Sequence, residues 1–321
     1  MDGNIVGLPA GYRDIMFEDA ALRRRIENEF ASVFSSAGFR EIIPSAVEYL
    51  DLYSRGNQGI RERAVRFLDR EDNLLALRAD FTPAVARIVT AHLREMPLPV
   101  RVWYSGPVFR KTDRHSGQYR EFSQIGAELI GGDPPDADCE ILDAAMQCLV
   151  MSGFPDVCVH VNHAGIFRGL VNSLGLAQSE LAEVRSAIDR KDMRALGTRL
   201  EELGVNGSVR AQVSALSRCV GDSRALAGVA SSIDNAESAD AIAGLEFLAL
   251  RLPRWRDRIT FDLTEIDELE YYTGVMFTFL SPAHSAEVGR GGRYDSLMRE
   301  FGADLPAVGF SFSMDKLGEC A

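Results

Sequence analysis

The sequence predicts an α+β fold, in which antiparallel strands are flanked by helices that do not alternate strictly with them. β-rich runs fill much of the first half of the chain, and strand-like alternation returns after Ile259. Between them, from about Gly165 to Leu250, Ala, Leu, Ser, Glu and Arg dominate at helical spacing. We therefore expect a core formed by residues 1–164 and 256–321, with a helical subdomain inserted at residues 165–255.

The first helix is predicted over Phe17 to Ser36, where apolar residues recur at helical spacing between charged ones. The run FREIIPSAVEYLDLY follows, with a short strand at Ile42 and Ile43 that is broken at Pro44. Proline cannot donate to a central ladder, so its position indicates a sheet edge or an interface.

The next strand is predicted from Leu74 to Arg78, before a helix that opens near Thr82 and Pro83. Threonine and proline are favoured at the cap and in the first turn of a helix. Asp80 and Thr82 are therefore expected at a strand-to-helix corner.

A long-looped antiparallel hairpin is predicted from the runs VRVWYSGPVFR and EFSQIGAELIGG, which flank the polar residues 111–118. Because side chains alternate across a strand, Gln124 and Glu128 share one face of the second run with Gly126. The opposite, packed face carries Ile125, Ala127 and Leu129.

After the helical segment, alternation from Leu269 to Phe279 places Tyr272 on the face opposite Tyr271. The glycine-rich GRGGRYD that follows contains neither GxGxxG nor GxxxxGK[ST], so a tight turn between a strand and a helix is favoured over a phosphate-binding loop.

Candidate binding residues fall on the non-core strand faces of both halves. Gln124, Glu128 and Tyr272 offer an amide, a carboxylate and a phenol, which can bind an amine and a hydrogen-bonding ring, although solvated strand faces also carry such residues. Arg110 and Arg120 flank the hairpin loop, where basic residues could either hold the phosphates of a nucleotide or neutralise nearby acids.

Composition excludes several classes of protein. Thirty-five basic against 47 acidic residues give a formal charge of -12, which disfavours nucleic acid as a partner. No apolar run approaches the roughly 18 residues of a membrane span. Five scattered cysteines without a CxxC pair, and a first segment without signal-peptide features, predict a cytoplasmic protein with reduced thiols. No metal site, no cofactor and no catalytic nucleophile set are predicted.

Three segments resemble the motifs of class II histidyl-tRNA synthetases. GPVFRKTDRHSGQYREFSQIGAE is similar to motif 2, ELEYYTG to the histidine-specific segment, and GGRYDSL with AVGFSFSMDKL to the stretch leading through motif 3. The similarity spans about Leu8 to Val161 and Ile259 to Leu317. It implies a class II aminoacyl-tRNA synthetase-like antiparallel sheet flanked by helices, and a dimer through the motif 1-like region, FREIIPSAVEY with the first helix.

The resemblance also implies an amino-acid site for histidine or a related effector. In such a site a carboxylate holds the α-ammonium group, and polar groups surround the imidazole. Asp80 stands where the synthetase pattern has glutamate. The ligand-binding positions carried over are Asp80, Thr82, Arg110, Gln124, Glu128, Tyr271 and Tyr272.

The ATP side of the synthetase pattern is not retained. Where the histidine-specific segment normally begins with arginine and glycine, this chain has Asp267 and Glu268. Replacing a cation by an anion about 5 Å from a phosphate reverses an attraction of about 3 kcal/mol at an effective dielectric constant of about 20. The other replaced positions are Thr112, Asp113, Gln118, Ser311, Ser313, Asp315 and Lys316. Adenylation of histidine is therefore not expected.

The chain ends soon after Lys316, so no anticodon-binding domain is expected. The chain thus combines a synthetase-like core with a lost ATP side and no expected anticodon-binding domain. In this combination, and in the stretch LRADFTPAVARI, it resembles the regulatory subunits of short-form ATP phosphoribosyltransferases. The resemblance implies a non-catalytic subunit, acting in the first step of histidine biosynthesis, that assembles with a short catalytic subunit, supports its activity and takes part in feedback inhibition by histidine. Two alternatives stay open: a stand-alone amino-acid-activating ligase, and a histidine-sensing module outside the pathway.

Overall fold

The computed structural model describes residues 7–55, 58–93, 95–112, 119–190, 192–264 and 271–321. Its strands are β1 (Arg40–Glu41), β2 (Val47–Tyr49), β3 (Arg66–Leu68), β4 (Leu74–Leu77), β5 (Val100–Phe109), β6 (Glu121–Ile130), β7 (Cys158–His163), β8 (Val220–Gly221), β9 (Ile259–Asp262), β10 (Val275–Ser281), β11 (Ala286–Arg293) and β12 (Ala307–Ser313). Its helices are α1 (Phe17–Ser36), α2 (Gln58–Arg63), α3 (Thr82–His92), α4 (Asp136–Met151), α5 (Ala164–Leu174), α6 (Gln178–Asp189), α7 (Met193–Glu202), α8 (Gly207–Leu216), α9 (Ser223–Ala230), α10 (Ala236–Arg251), α11 (Asp295–Glu300) and α12 (Met314–Glu319). Short 3-10 helices lie at Leu50–Ser54, Pro253–Arg258 and Pro282–His284.

Within these ranges, nine strands form a large sheet in the order β1-β5-β6-β12-β11-β10-β7-β9-β8. Its ladders are antiparallel except for β1 with β5 and β7 with β9, which are parallel. A second sheet, antiparallel in the order β2-β4-β3, lies beside it. The predicted α+β fold with a mainly antiparallel sheet is confirmed.

One face of the large sheet is covered by α1 and α4. The ring of Phe30 on α1 meets that of Phe312 on β12 edge to face at 5.6 Å, and Phe34 stacks on Trp103 of β5 at 5.6 Å. The predicted packed residues of β6, from Ile125 to Leu129 on alternate positions, belong to this core. Because this face of β6 is covered by the packed aromatic core, only the opposite face of β6 is available for a binding site.

The other face of the large sheet is partly covered by α3 and α11. Phe81 and Val85 from the start of α3 pack with Tyr104 of β5 and Leu297 of α11 in a second buried cluster. These two helices leave the middle of the sheet open, over β6, β11 and β12.

Helices α5 to α10 lie between β7 and β9 in the chain. Ile166 of α5 and Leu245 of α10 share one hydrophobic core with Val161 of β7, and β8 joins the edge of the large sheet. The division of the chain into a synthetase-like core and an inserted subdomain stays a prediction. No helix in the described part of the chain is both long and apolar enough to cross a membrane.

Three local predictions were wrong. The short strand expected at Ile42 and Ile43 lies two residues earlier, at Arg40–Glu41. The strand expected from Leu269 begins only at Val275, so Tyr271 and Tyr272 precede the ladder, and residues 265–270 lie outside the described ranges. The glycines of GRGGRYD lie inside β11 rather than in a turn. A Cβ atom at Gly289 would be 2.4 Å from the ring of Phe312, so close packing of neighbouring strands explains the glycine.

Candidate functional site

A cavity of about 510 Å³ lies over β6, β11 and β12, on the open face of the large sheet. Its size is within the range of small-molecule sites. All seven predicted ligand-binding residues line it: Asp80, Thr82, Arg110, Gln124, Glu128, Tyr271 and Tyr272. They come from four separate parts of the chain, which the sheet brings together.

Glu128 is the most buried acid of the cavity, at 1% exposure. Its Oε1 accepts hydrogen bonds from Thr82 Oγ1 at 3.0 Å and from the Tyr104 hydroxyl at 3.1 Å, and its Oε2 accepts one from the Tyr294 hydroxyl at 2.6 Å. Burial raises the pKa of Glu128 to about 8, while these hydroxyl donors act in the opposite direction. A cationic ligand would stabilise the charged form of this carboxyl group.

Tyr104 and Tyr294 were missed by the sequence reasoning. Tyr104 pairs with Gly126 across the β5–β6 ladder, and a Cβ atom at Gly126 would be 2.7 Å from the Tyr104 hydroxyl oxygen. The register of the predicted hairpin would have placed Tyr104 beside Glu128 on the same face. Tyr294 follows β11 directly and had no comparable signal.

Asp80 lies just before α3, as predicted, and faces Arg110. Its Oδ1 accepts the backbone N–H of Phe81 at 2.9 Å and lies 3.8 Å from Nη2 of Arg110. Burial raises the pKa of Asp80, although the positive charge of Arg110 opposes this. Nε of Arg110 donates to the carbonyl of Ala79 at 2.7 Å, which holds the guanidinium at this corner.

Gln124 has a buried acceptor without a partner. The side chain is 8% exposed and lines the cavity, and its Oε1 forms no hydrogen bond with any described residue. A buried polar atom without a hydrogen bond costs about 1–3 kcal/mol. A ligand that donates a hydrogen bond here would remove that penalty.

Three tyrosine rings form an aromatic wall beside the carboxylates. Tyr271 meets Tyr272 edge to face at 5.1 Å and stacks near Tyr294 at 6.0 Å. A Cβ atom at Gly292 would be 2.7 Å from the Tyr272 ring, so the ring lies against bare backbone. Such a wall suits a flat ring with polar edges.

The other end of the cavity is organised around Asp315. Its Oδ1 accepts from Arg13 Nη2 at 2.5 Å and from Arg23, and its Oδ2 accepts the backbone N–H of Ser123 at 3.0 Å. Arg13 also lies 4.1 Å over the Tyr119 ring. Arg13, Arg23 and Asp315 are thus engaged with one another at this end.

The replaced synthetase positions divide into two groups. Thr112, Ser311, Ser313, Asp315 and Lys316 line the cavity. Asp113, Gln118, Asp267 and Glu268 lie outside the described residues.

Two polar side chains outside the cavity, His163 and Arg168, stabilise the fold. Nδ1 of His163 accepts the Gly165 N–H at 3.1 Å and caps α5, and burial lowers the pKa of His163 to about 4. Arg168 pairs with Glu237 on α10. Among the described residues, no group of three or more His, Cys, Asp and Glu side chains is arranged to hold a metal ion.

Comparison with known proteins gives consistent matches over nearly the whole chain. A family model for histidyl-tRNA synthetase matches residues 11–317. The ATP phosphoribosyltransferase regulatory subunit of Syntrophotalea carbinolica is 36% identical over 311 residues, which cover 96% of this chain and 73% of that protein. The protein of the same name from Geobacter metallireducens is 36% identical over 312 residues, covering 96% of this chain and 72% of its own.

A solved structure matches as well. An ATP phosphoribosyltransferase regulatory subunit/histidyl-tRNA synthetase from Bacillus halodurans C superposes with a TM-score of 0.90 at 24% identity. The match covers 99% of this chain and 84% of that one, and it supports the fold.

Proposed function

The chain belongs to the family of ATP phosphoribosyltransferase regulatory subunits, which share the histidyl-tRNA synthetase core, and from this premise we propose that it regulates a separate catalytic phosphoribosyltransferase. It is a non-catalytic subunit in histidine biosynthesis. In the proposed complex, a short catalytic subunit carries out phosphoribosyl transfer in the cytoplasm, and this chain supports its activity and its inhibition by histidine.

The observation that carries this proposal is the asymmetry of the cavity. One end combines two acids, the buried Glu128 and the partly buried Asp80, with an aromatic wall; farther along β6, Gln124 adds an amide oxygen that has no partner among the described residues. At the other end, Asp315 already binds two arginines of the same chain. A site of this kind is suited to retaining an amino acid without activating it.

We assign L-histidine to the end that contains Glu128. Its α-ammonium group would meet Asp80 and Thr82, and the imidazole would lie against Tyr271 and Tyr272. A donor of the ligand would satisfy Oε1 of Gln124, which has no bond within the described structure. Charge-assisted hydrogen bonds to the two acids would supply much of the affinity.

We further propose that two copies of the chain associate through the second sheet. Across the β2-β4-β3 ladders, Tyr49 and Phe67 both face Leu75, so these side chains share one face. We call this the small-sheet face; its residues are Val47, Tyr49, Phe67, Leu75 and Leu77. Val47, Tyr49 and Phe67 are 38%, 64% and 40% exposed, and an exposed contiguous apolar patch marks a protein interface. It includes the motif 1-like strand β2.

The decisive experiment mixes the purified chain with a short-form ATP phosphoribosyltransferase catalytic subunit. We expect a complex in size-exclusion chromatography, a phosphoribosyl transfer rate about tenfold or more above that of the catalytic subunit alone, and a decrease in that rate when histidine is added. The absence of a complex together with an unchanged rate would refute the proposal. Histidine-dependent exchange of pyrophosphate into ATP by the chain alone would instead favour the ligase alternative.

A further inference from the structure

We propose that Arg78 couples the cavity to the small-sheet face, so that a ligand in the cavity and a partner on that face influence each other. The coupling would act through the connector, residues 42–46, which joins β1 to β2. This inference rests on the proposed function in one respect, because it takes histidine as the ligand of the cavity.

Arg78 holds the connector by three successive carbonyl groups. Its backbone N–H donates to Ala46 at 2.8 Å, and its Nη1 donates to the carbonyl oxygens of Pro44 at 2.8 Å and Ser45 at 3.3 Å. Beside these residues, Ile43 is 85% exposed, and β2 with Tyr49 begins directly after the connector. The position of the small-sheet face therefore depends on where the Arg78 guanidinium lies.

The guanidinium is buried and forms no ion pair with a described carboxylate. Arg78 is 4% exposed, and its Nε and Nη2 both donate to the carbonyl of Pro107, at 3.1 and 2.9 Å. Burial lowers the pKa of Arg78. A buried charge that is held mainly by carbonyl groups, with no carboxylate of the described residues in direct contact, is unfavourable compared with apolar packing, so stability alone gives a poor reason for an arginine at this place.

The same guanidinium begins a chain of contacts that ends in the cavity. It lies 3.9 Å over the ring of Phe81, which stacks on Tyr104 at 4.2 Å with an interplanar angle of 9°. The Tyr104 hydroxyl donates to Glu128. Phe81 and Tyr104 are fully buried, so a shift of either ring must displace its neighbour.

A second route leads to the cavity along the backbone. Ala79 follows Arg78 and receives the bond from Arg110, and Asp80 comes next and lines the cavity. Movement of Glu128 or Asp80 on ligand binding would therefore reach Arg78 from two sides. Because interactions between two sites are reciprocal, occupation of the small-sheet face would change ligand affinity by the same factor.

Hydrogen exchange with mass spectrometry tests the coupling on the full chain. In the wild type, saturating L-histidine should slow amide exchange in peptides covering residues 40–49 by about fivefold or more. Arg78→Lys keeps the charge without the planar fork, and Phe81→Leu removes the stacked ring. Both variants should still bind histidine in calorimetry and should lose the change in exchange.

Arg87→Lys is the matched control. Arg87 on α3 pairs with Glu48 on β2 at 2.6 Å and so ties the same two regions by another contact. This variant should keep the histidine effect. Histidine binding by the wild type without any change at residues 40–49, or a change that persists in both Arg78→Lys and Phe81→Leu, would overturn the coupling while leaving the proposed function intact. A wild type that binds no histidine would overturn both the coupling and the assignment of histidine to the cavity, whereas the regulatory role is tested separately by complex formation with the catalytic subunit.

Discussion

Gly309 lies directly opposite Glu128 in the ladder between β12 and β6, and a Cβ atom at Gly309 would be 1.5 Å from Oε2 of Glu128. The carboxyl group thus occupies the space that any other residue at 309 would need for its side chain. The buried Glu128 can therefore keep its position only if residue 309 is a glycine.

Gly309→Ala should therefore weaken histidine binding without any change to a polar group. The methyl group would displace Glu128 and break its bonds to Tyr294 and Thr82, which are worth about 1.5–3 kcal/mol each when the acid is charged. We expect at least a tenfold rise in Kd, roughly 1.4 kcal/mol, in calorimetry. Gly244→Ala on α10, where a Cβ atom meets nothing within 4 Å, should bind like the wild type.

Glu128 should make stability depend on pH in a specific direction. Its folded-state pKa of about 8 lies above the ordinary 4.5, so between these values the folded state binds more protons than the unfolded state. The free energy of unfolding then falls as pH rises, by about 1.4 kcal/mol for each unit of pKa difference. Urea titrations at about pH 5 and about pH 8 should show this fall in the wild type and a smaller one in Glu128→Gln. An equal fall in the free energy of unfolding for the wild type and for Glu128→Gln would contradict this prediction.

Gln124 allows binding and stability to be separated. Gln124→Met removes the buried acceptor that has no partner in the described structure while keeping the length of the side chain. We expect the free energy of unfolding to stay the same or rise by about 1 kcal/mol, because a desolvation penalty disappears. Histidine affinity should fall about tenfold, since a hydrogen bond to the ligand is lost. An unchanged affinity would exclude Gln124 from the site.

Asp315 should be important for stability because three donors converge on it. Asp315→Ala leaves Arg13 and Arg23 without their carboxylate, and we expect a loss of about 3 kcal/mol in urea unfolding. Asp304→Ala is the comparison, because Asp304 is 87% exposed and lies 3.6 Å from Arg299. This second change should have little effect. Equal losses would mean that the Asp315 cluster contributes no more than a surface pair.

Tyr49 tests self-association. Tyr49→Asp places a charge on the edge strand β2 of the small-sheet face and should raise the dimer dissociation constant at least about tenfold in analytical ultracentrifugation. Leu250→Asp makes the same kind of change at an isolated exposed position, 79% exposed on α10, and should leave association unchanged. Histidine binding should survive in both variants. Equal weakening by both changes would place the interface elsewhere.

Local patterns predicted the parts of the site that lie on regular strands. The alternation along β6 placed Gln124 and Glu128 on one face, and the structure agrees because β6 is covered by helices on its other face. Helix α1 begins and ends at the predicted residues for a related reason, since its apolar side packs on the same core.

The remaining features depend on contacts between distant parts of the chain. Arg13 and Asp315 are at opposite ends of the sequence, and no local pattern pairs them. In the sequence, Gly289 looks like a turn residue. The reason for the glycine is the ring of Phe312 on the neighbouring strand, which leaves no room for a side chain and which no local pattern indicates. Tyr271 and Tyr272 continue an alternating pattern, yet the ladder begins after them.

The ladder between β6 and β12 also sets the order in which the molecule can be completed during synthesis. It joins Ile130 to Ala307 and Gln124 to Ser313, so the ribosome delivers the β5–β6 hairpin long before its neighbour. Until β12 arrives, the β6 edge of the hairpin has unpaired backbone groups that can pair with other chains. Exposed strand edges of this kind make incompletely folded proteins prone to aggregation. Glu128 and Gly309 meet only when the last strand docks. A ligand bound beside Glu128, as we propose for histidine, would therefore stabilise the chain only after β12 has docked on β6.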